Sequence, residues 1–224
     1  MTGTIANTGA IIVGSLIGVS AGSRLPESMK TIVMQALGLS VILIGLKMGL
    51  SGQDPIVAIG CVIVGSITGE LIRIEQGIEY LGTYLKRRTR SSSSTFVQGF
   101  VTASILYLTG AMMIVGSIQD GTTGDANTLY IKSLLDGVAS IALSSTLGIG
   151  VAFSAISVFI VQGGITLLAS RLIFLQNPAV LDAITASGGL LIMGIGTNLL
   201  GVTKIRIGNM LPAILYAIFW AMLR

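Results

Sequence analysis

Glu70-Leu71-Ile72-Arg73-Ile74-Glu75-Gln76-Gly77-Ile78-Glu79-Tyr80-Leu81-Gly82-Thr83-Tyr84-Leu85-Lys86-Arg87-Arg88-Thr89-Arg90 carries eight of the chain's charged residues, although the whole sequence holds only 13 Lys and Arg and 9 Asp and Glu. Ile74, Ile78, Leu81 and Leu85 recur at helical spacing, with Glu75, Gln76, Glu79 and Lys86 between them. That pattern predicts an amphipathic helix lying on a membrane surface rather than crossing it. The basic cluster Lys86 to Arg90 sits beside long apolar runs, and such clusters are held in the cytoplasm. Ser91 to Ser94 then read as a flexible joint.

Outward from this island the chain is almost uncharged. Mean hydropathy is +0.91 and charged residues make up 10%, against about 25% in a soluble domain. A water-soluble surface cannot be built from this, so 1–224 is expected to be a single integral membrane domain in contact with the lipid bilayer. The +4 net charge comes largely from one cluster and is read as a topology determinant, with no nucleic-acid partner expected. The lone Cys61 has no disulfide partner and the chain has no histidine, which removes the usual zinc and haem ligand sets. No cofactor and no metal are expected. The first charge is Arg24, so the apolar stretch from Ile5 is read as a retained span instead of a cleaved leader.

Hydropathy predicts an all-α polytopic bundle of seven to eight spans: Ile5 to Gly22, Ile32 to Leu50, Pro55 to Arg73, Phe96 to Ile118, Leu129 to Thr146, Ile149 to Ser170, Val180 to Leu200 and Ile205 to Met222. The fifth carries Lys132 and Asp136, and three readings stay open for it: a span facing other helices, a re-entrant hairpin, or an interfacial helix. With the basic cluster inside, the amino terminus falls outside. If the fifth segment spans, Lys204 and Arg206 are cytoplasmic and Arg171 alone is external. Positive-inside counting favours that arrangement.

Gly38 to Lys47 can be laid on Gly189 to Asn198, each run following a proline (Pro26, Pro178) by a similar distance. This suggests two inverted three-span groups, 1–73 and 148–224. Between them lie the surface helix and linker, 74–94, and a central pair, 95–147. Inverted repeats of this kind are common in secondary transporters.

Polar residues at membrane depth are costly and tend to line a bundle interior or a wet cavity. Asn7, Gln35, Lys132, Asp136, Gln162 and Asn198 are therefore candidates for a substrate or ion pathway, joined by Gln119 and Asp120 at the end of the fourth span. Lys132 and Asp136, one turn apart, can pair with each other, either to mask charge within a marginal span or to form a gate. Glu70 is expected to pair with Arg73. Gly14, Gly18 and Gly22 on one helix, and Gly65 and Gly69 on another, are four-residue ladders suited to helix packing or to a homodimer contact. Gly188-Gly189, Gly194 and Gly196 in one span, and Gly163-Gly164 in another, hint at broken helices. No catalytic constellation emerges, and no enzyme activity is expected.

Several stretches resemble a known family. Gly3-Thr4-Ile5-Ala6-Asn7, Gln35-Ala36-Leu37-Gly38-Leu39, Gly99-Phe100-Val101-Thr102-Ala103-Ser104, Gly116-Ser117-Ile118-Gln119-Asp120-Gly121, Lys132-Ser133-Leu134-Leu135-Asp136-Gly137, Ser145-Thr146-Leu147-Gly148-Ile149-Gly150 and Gly208-Asn209-Met210-Leu211-Pro212-Ala213 are similar to the uncharacterised bacterial multi-pass membrane proteins of the YqgA/YdfK type. The resemblance covers almost the whole chain. It implies a bacterial inner-membrane location and draws attention to Gln119, Asp120, Lys132 and Asp136, but carries no activity. The expected function is a transporter or channel for a small solute or ion, as a homodimer. The competing class is a non-transporting membrane scaffold that docks partners on its basic cytoplasmic helix.

Overall fold

Ile74–Arg88 is helical, as the spacing predicts, and Arg73 before it takes a left-handed conformation (φ 58°, ψ 45°) that ends one helix and starts the next. The structure, a computed structural model, describes residues 1–223. Ten α-helices are present among them: α1 Thr2–Gly22, α2 Glu27–Leu50, α3 Pro55–Ile72, α4 Ile74–Arg88, α5 Phe96–Leu108, α6 Ala111–Thr122, α7 Asn127–Leu147, α8 Gly150–Leu167, α9 Pro178–Leu199 and α10 Pro212–Leu223. Five of them (α1, α2, α3, α8 and α9) are long and apolar enough to cross a membrane. The α5–α6 pair, bent by 66°, makes a sixth if taken as one span. The remainder of the expected seven to eight rests on α7, which is 21 residues long but charged, and on the shorter apolar stretch Ile207–Leu223.

The bend divides the predicted fourth span at Thr109 and Gly110. Gly110 has φ +134°, a backbone region open in practice only to glycine, and this lets the chain leave the helix without strain. The glycine pairs that hint at broken helices lie in continuous ones: α8 runs unbroken through Gly163-Gly164 and α9 through Gly188, Gly189, Gly194 and Gly196. Much of their role is close approach. A Cβ on Gly189 would collide with the backbone of Gly49, and one on Gly188 with the Thr109 side chain. The last helix starts later than predicted because Pro212 has no amide hydrogen to continue a helix from upstream. Residues Ile207–Met210 form a 3-10 turn instead.

The chain divides into two compact units that cut across sequence order. The first comprises Met1–Met34, Glu79–Leu108 and Met112–Ile173; the second comprises Gln35–Ile78, Thr109–Ala111 and Phe174–Arg224.

In the first unit, α1 packs along the length of α7. Gly14 faces Gly137 and Ser140, Gly18 faces Ile141 and Ser144, and Gly22 faces Ser145. The two numberings rise together, so the helices run parallel. A Cβ on any of the three glycines would enter the backbone of α7, which is how small residues every fourth position let helix axes approach. In contrast, α8 runs antiparallel to α1: Thr4 meets Thr166 and Asn7 meets Gln162. It runs parallel to α5, with Gly150 against Phe96 and Ser104 against Ser157. Fully buried Phe96, Phe100, Leu143, Leu147 and Val151 fill the apolar end of this bundle.

The second unit repeats the antiparallel theme. Gly38 of α2 faces the Gly196 carbonyl of α9, and Gly45 faces that of Gly189. A Cβ on Gly45 would stand 2.6 Å from the Met193 nitrogen, and one on Gly196 would stand 2.8 Å from the Ile42 nitrogen. Laying Gly38 to Lys47 on Gly189 to Asn198 exchanges these contacts with one another. Gly65 and Gly69 of α3 similarly abut Ala213 at the start of α10 and Asn209 in the 3-10 turn before it, also antiparallel.

Candidate functional site

The parallel packing of α1 on α7 brings two polar faces together inside the first unit. Thr4 and Asn7 lie one turn apart on α1, and Lys132 and Asp136 one turn apart on α7. Gln162 and Thr166 are likewise one turn apart on α8, and all six are buried. An i, i+3 or i, i+4 spacing puts each pair on one side of its helix, and tight glycine contacts further along α1 hold the helices close enough for these side chains to meet.

Asp136 Oδ2 accepts from Lys132 Nζ at 2.5 Å and from Asn7 Nδ2 at 3.0 Å. The same Asn7 nitrogen donates to Gln162 Oε1 at 3.0 Å. Gln162 Nε2 in turn donates to Thr4 Oγ1 at 3.2 Å, and the Thr4 and Thr166 hydroxyls share a 3.3 Å contact. Lys132 Nζ stands 6.0 Å from the centre of the Tyr107 ring on α5, at the edge of cation–π range. The Tyr107 hydroxyl meets Ser140 Oγ of α7 at 2.8 Å. Both hydrogens of the Asn7 amide are used, but its Oδ1, fully buried, has no hydrogen-bond partner among the described residues. An orphaned buried acceptor is expensive.

Other predicted residues take different places. Asp120 on α6 is buried and accepts from the Met1 amino group at 2.9 Å, from the Thr2 hydroxyl at 3.5 Å and from the Gly3 amide at 3.1 Å. It thus neutralises the start of α1, where helical amides are unpaired and a carboxylate is favoured. Gln119 Oε1 accepts from the Thr128 hydroxyl at 2.8 Å and closes the turn into α7. Asn198 lies in the second unit and does not join the polar core: its Oδ1 accepts from Thr203 and from the Ile205 amide, and its Nδ2 donates to the Ile205 carbonyl, pinning the turn after α9. Gln35 is on an exposed face of α2, in the second unit. Glu70 pairs with Arg206 at 2.5 Å and accepts from Asn209 at 2.7 Å, not with Arg73, whose left-handed backbone turns the chain away after α3.

Thr4 and Tyr107 belong to the core without having been singled out from sequence. Thr4 had a signal, since it shares a helix face with Asn7. Tyr107 had a weaker one: a tyrosine hydroxyl deep in an apolar run needs a partner.

Apolar helices with wide exposed hydrophobic faces, enclosing a paired lysine and aspartate, define a polytopic helical membrane protein. The chain belongs to the family described as "Protein of unknown function (DUF554)", whose model matches residues 2–222. It is 32% identical over 219 residues to the uncharacterized membrane protein YdfK of Bacillus subtilis (strain 168), spanning 96% of this chain and 93% of that protein. It is 26% identical over 220 residues to the uncharacterized protein YqgA of Escherichia coli (strain K12), spanning 96% and 94%. No solved structure matches it.

Proposed function

We propose that the chain is a transporter or channel of the bacterial inner membrane for a small solute or ion, its path running along the polar core between α1, α7 and α8. The observation that carries this reading is the chain of hydrogen bonds from Lys132 through Asp136, Asn7 and Gln162 to Thr4. A buried lysine and aspartate at membrane depth are costly, and two amides and two hydroxyls arrayed around them are more than masking the charge requires. In this reading the basic cluster is cytoplasmic and both termini are external. The direction of α7, parallel to α1, supports its being a span, and the exchange of α2 and α9 contacts under the repeat supports an inverted duplication. The protein works as a homodimer.

The test is flux in proteoliposomes over a panel of small solutes and ions. Asp136→Ala and Lys132→Ala are expected to lower flux of the carried species at least tenfold, while Gln35→Ala leaves it unchanged. Flux absent for every species would favour the second reading, a membrane scaffold. That reading draws on α4, where Tyr80 and Tyr84 are exposed beside the Lys86, Arg87 and Arg88 end; it calls for a partner protein captured through residues 75–90.

A further inference from the structure

Lys86, Arg87 and Arg88 form the last turn of α4, and Arg90 follows at φ 52°. With Arg90 left-handed, the Ser91 amide donates to the Lys86 carbonyl at 3.1 Å and the Arg90 amide to the Arg87 carbonyl at 3.1 Å. Closures of this kind end a helix and satisfy its last carbonyls. Four cations are thereby gathered at one helix end, where the backbone dipole favours positive charge. Among the described residues none of the four has an acidic partner, since the ion pairs use other groups. Of the acids in α4, Glu75 accepts from the Gly208 amide and Glu79 lies about two turns before Lys86. Arg87, Arg88 and Arg90 are all exposed.

The packing of α4 sets the level of this cluster. Gly82, on its buried side, faces α5: a Cβ there would come within 3.2 Å of the Val97 and Phe100 side chains. Since α5 begins at Phe96, Gly82 lies within roughly 6 Å of the level at which that apolar helix starts. The serine run is tied to the same end, with the Ser93 amide donating to Ser91 Oγ at 3.3 Å and Thr95 Oγ1 to the Leu147 carbonyl at 2.8 Å. On the open side of α4, Tyr80, Leu81 and Tyr84 are 76%, 47% and 55% exposed. Their spacing puts them on one stripe with Arg87 and Arg88. Tyrosine rings at this level suit the boundary between acyl chains and headgroups. A stable protein interface takes roughly 20–30 residues a side, with charge depleted from its centre. Three apolar side chains beside four unpaired cations do not make one.

We propose that this face of α4 is a binding site for anionic phospholipids, with the lipid phosphate at Arg87, Arg88 and Arg90 and the upper acyl region against Tyr80, Leu81 and Tyr84. Guanidinium groups match phosphate oxygens two at a time, and every basic residue near an anionic leaflet adds to the attraction. The occupied surface is the one that the scaffold reading gives to a protein. Nothing in it depends on a path through the polar core.

The experiment titrates full-length protein in a neutral detergent with dioctanoyl phosphatidylglycerol, dioctanoyl phosphatidylcholine or inorganic phosphate, and reads bound lipid by native mass spectrometry. Phosphatidylglycerol is expected to bind at least tenfold more tightly than phosphatidylcholine. Arg87→Gln, Arg88→Gln and Arg90→Gln together should bring the two lipids within threefold of each other. Glutamine is a good helix former, so the circular dichroism should stay that of the parent. Removing as many charges elsewhere, by Arg24→Gln, Lys30→Gln and Arg171→Gln, should leave the preference in place. Equal affinity of the parent for both lipids, or a preference kept by the α4 variant, would overturn the proposal. So would displacement of phosphatidylglycerol by an equal concentration of inorganic phosphate, which would mark a site for a free anion. In native membranes, p-benzoyl-phenylalanine in place of Tyr84 should add the mass of a lipid on irradiation. A crosslinked protein instead of a lipid would overturn the proposal and favour the scaffold reading.

Discussion

Asn7 Nδ2 lies 3.0 Å from Asp136 Oδ2, a hydrogen bond between the first helix of the chain and the seventh that ties α1 to α7 within the polar core. It gives the aspartate a second donor besides Lys132, while Asn7 Oδ1 on the same amide stays buried without a hydrogen-bond partner among the described residues.

Removing one charge from this core is expected to cost more than removing both. Lys132→Met leaves the carboxylate buried with Asn7 as its remaining donor, and should lower stability by about 3–5 kcal/mol. Lys132→Met combined with Asp136→Leu should regain most of that loss. Thermal unfolding of detergent-purified protein measures both; strictly additive effects would mean that the two side chains are not coupled.

The α1 ladder should tolerate no side chain. Gly18→Val places atoms against the Ile141 carbonyl and Ser144 of α7, and overpacking of this kind costs about 1–3 kcal/mol or more. Gly9→Ala on the same helix meets nothing within 4 Å and should change stability by under about 1 kcal/mol. A melting-temperature comparison of the two variants checks this, and equal effects would count against the packing described.

At the α5–α6 bend, Gly110→Ala forces a Cβ onto a backbone at φ +134°. The expected loss is about 1–3 kcal/mol, read by the same unfolding assay. A neutral result would mean that the two helices join into one straight span.

Topology is checked by single cysteines introduced in a Cys61→Ala background. Thr123→Cys, in the turn before α7, should react with an impermeant thiol reagent from outside intact cells, and Val202→Cys, after α9, only once the membrane is opened. Labelling of both from outside would remove the eight-span inverted arrangement.

Much of the architecture is legible in the sequence because apolar runs and helix boundaries are local properties. The start of α3 at Pro55 and the amphipathic α4 follow from neighbouring residues, while α1 and α2 begin three and five residues before the predicted Ile5 and Ile32. The bend between α5 and α6 is hidden by the unbroken hydropathy from Leu108 to Ala111, where a single glycine conformation decides the outcome. The site divides in the same way. Lys132 and Asp136 are one turn apart and can be paired from sequence alone, whereas Asn7, Gln162 and Thr4 come from helices whose partners are set by packing. Nothing near Asn198 distinguishes it from Asn7, yet a seven-residue loop satisfies it locally. Hydropathy likewise places Gly188 and Gly189 in a helix, but only Thr109 opposite Gly188 and the α2 backbone opposite Gly189 show why they are glycine.

The parallel seat of α1 on α7 has a consequence for how the protein is made. At roughly 5–20 residues per second, α1 leaves the ribosome on the order of ten seconds before α7 exists. Throughout that interval Thr4, Asn7 and Ser15 face lipid or the insertion machinery with no polar partner. The α7 helix, too charged to enter lipid readily alone, then arrives to a surface already shaped for it. Biogenesis thus depends on the first helix waiting, and a defect in its glycine ladder would be seen as failed membrane integration of a segment more than a hundred residues downstream.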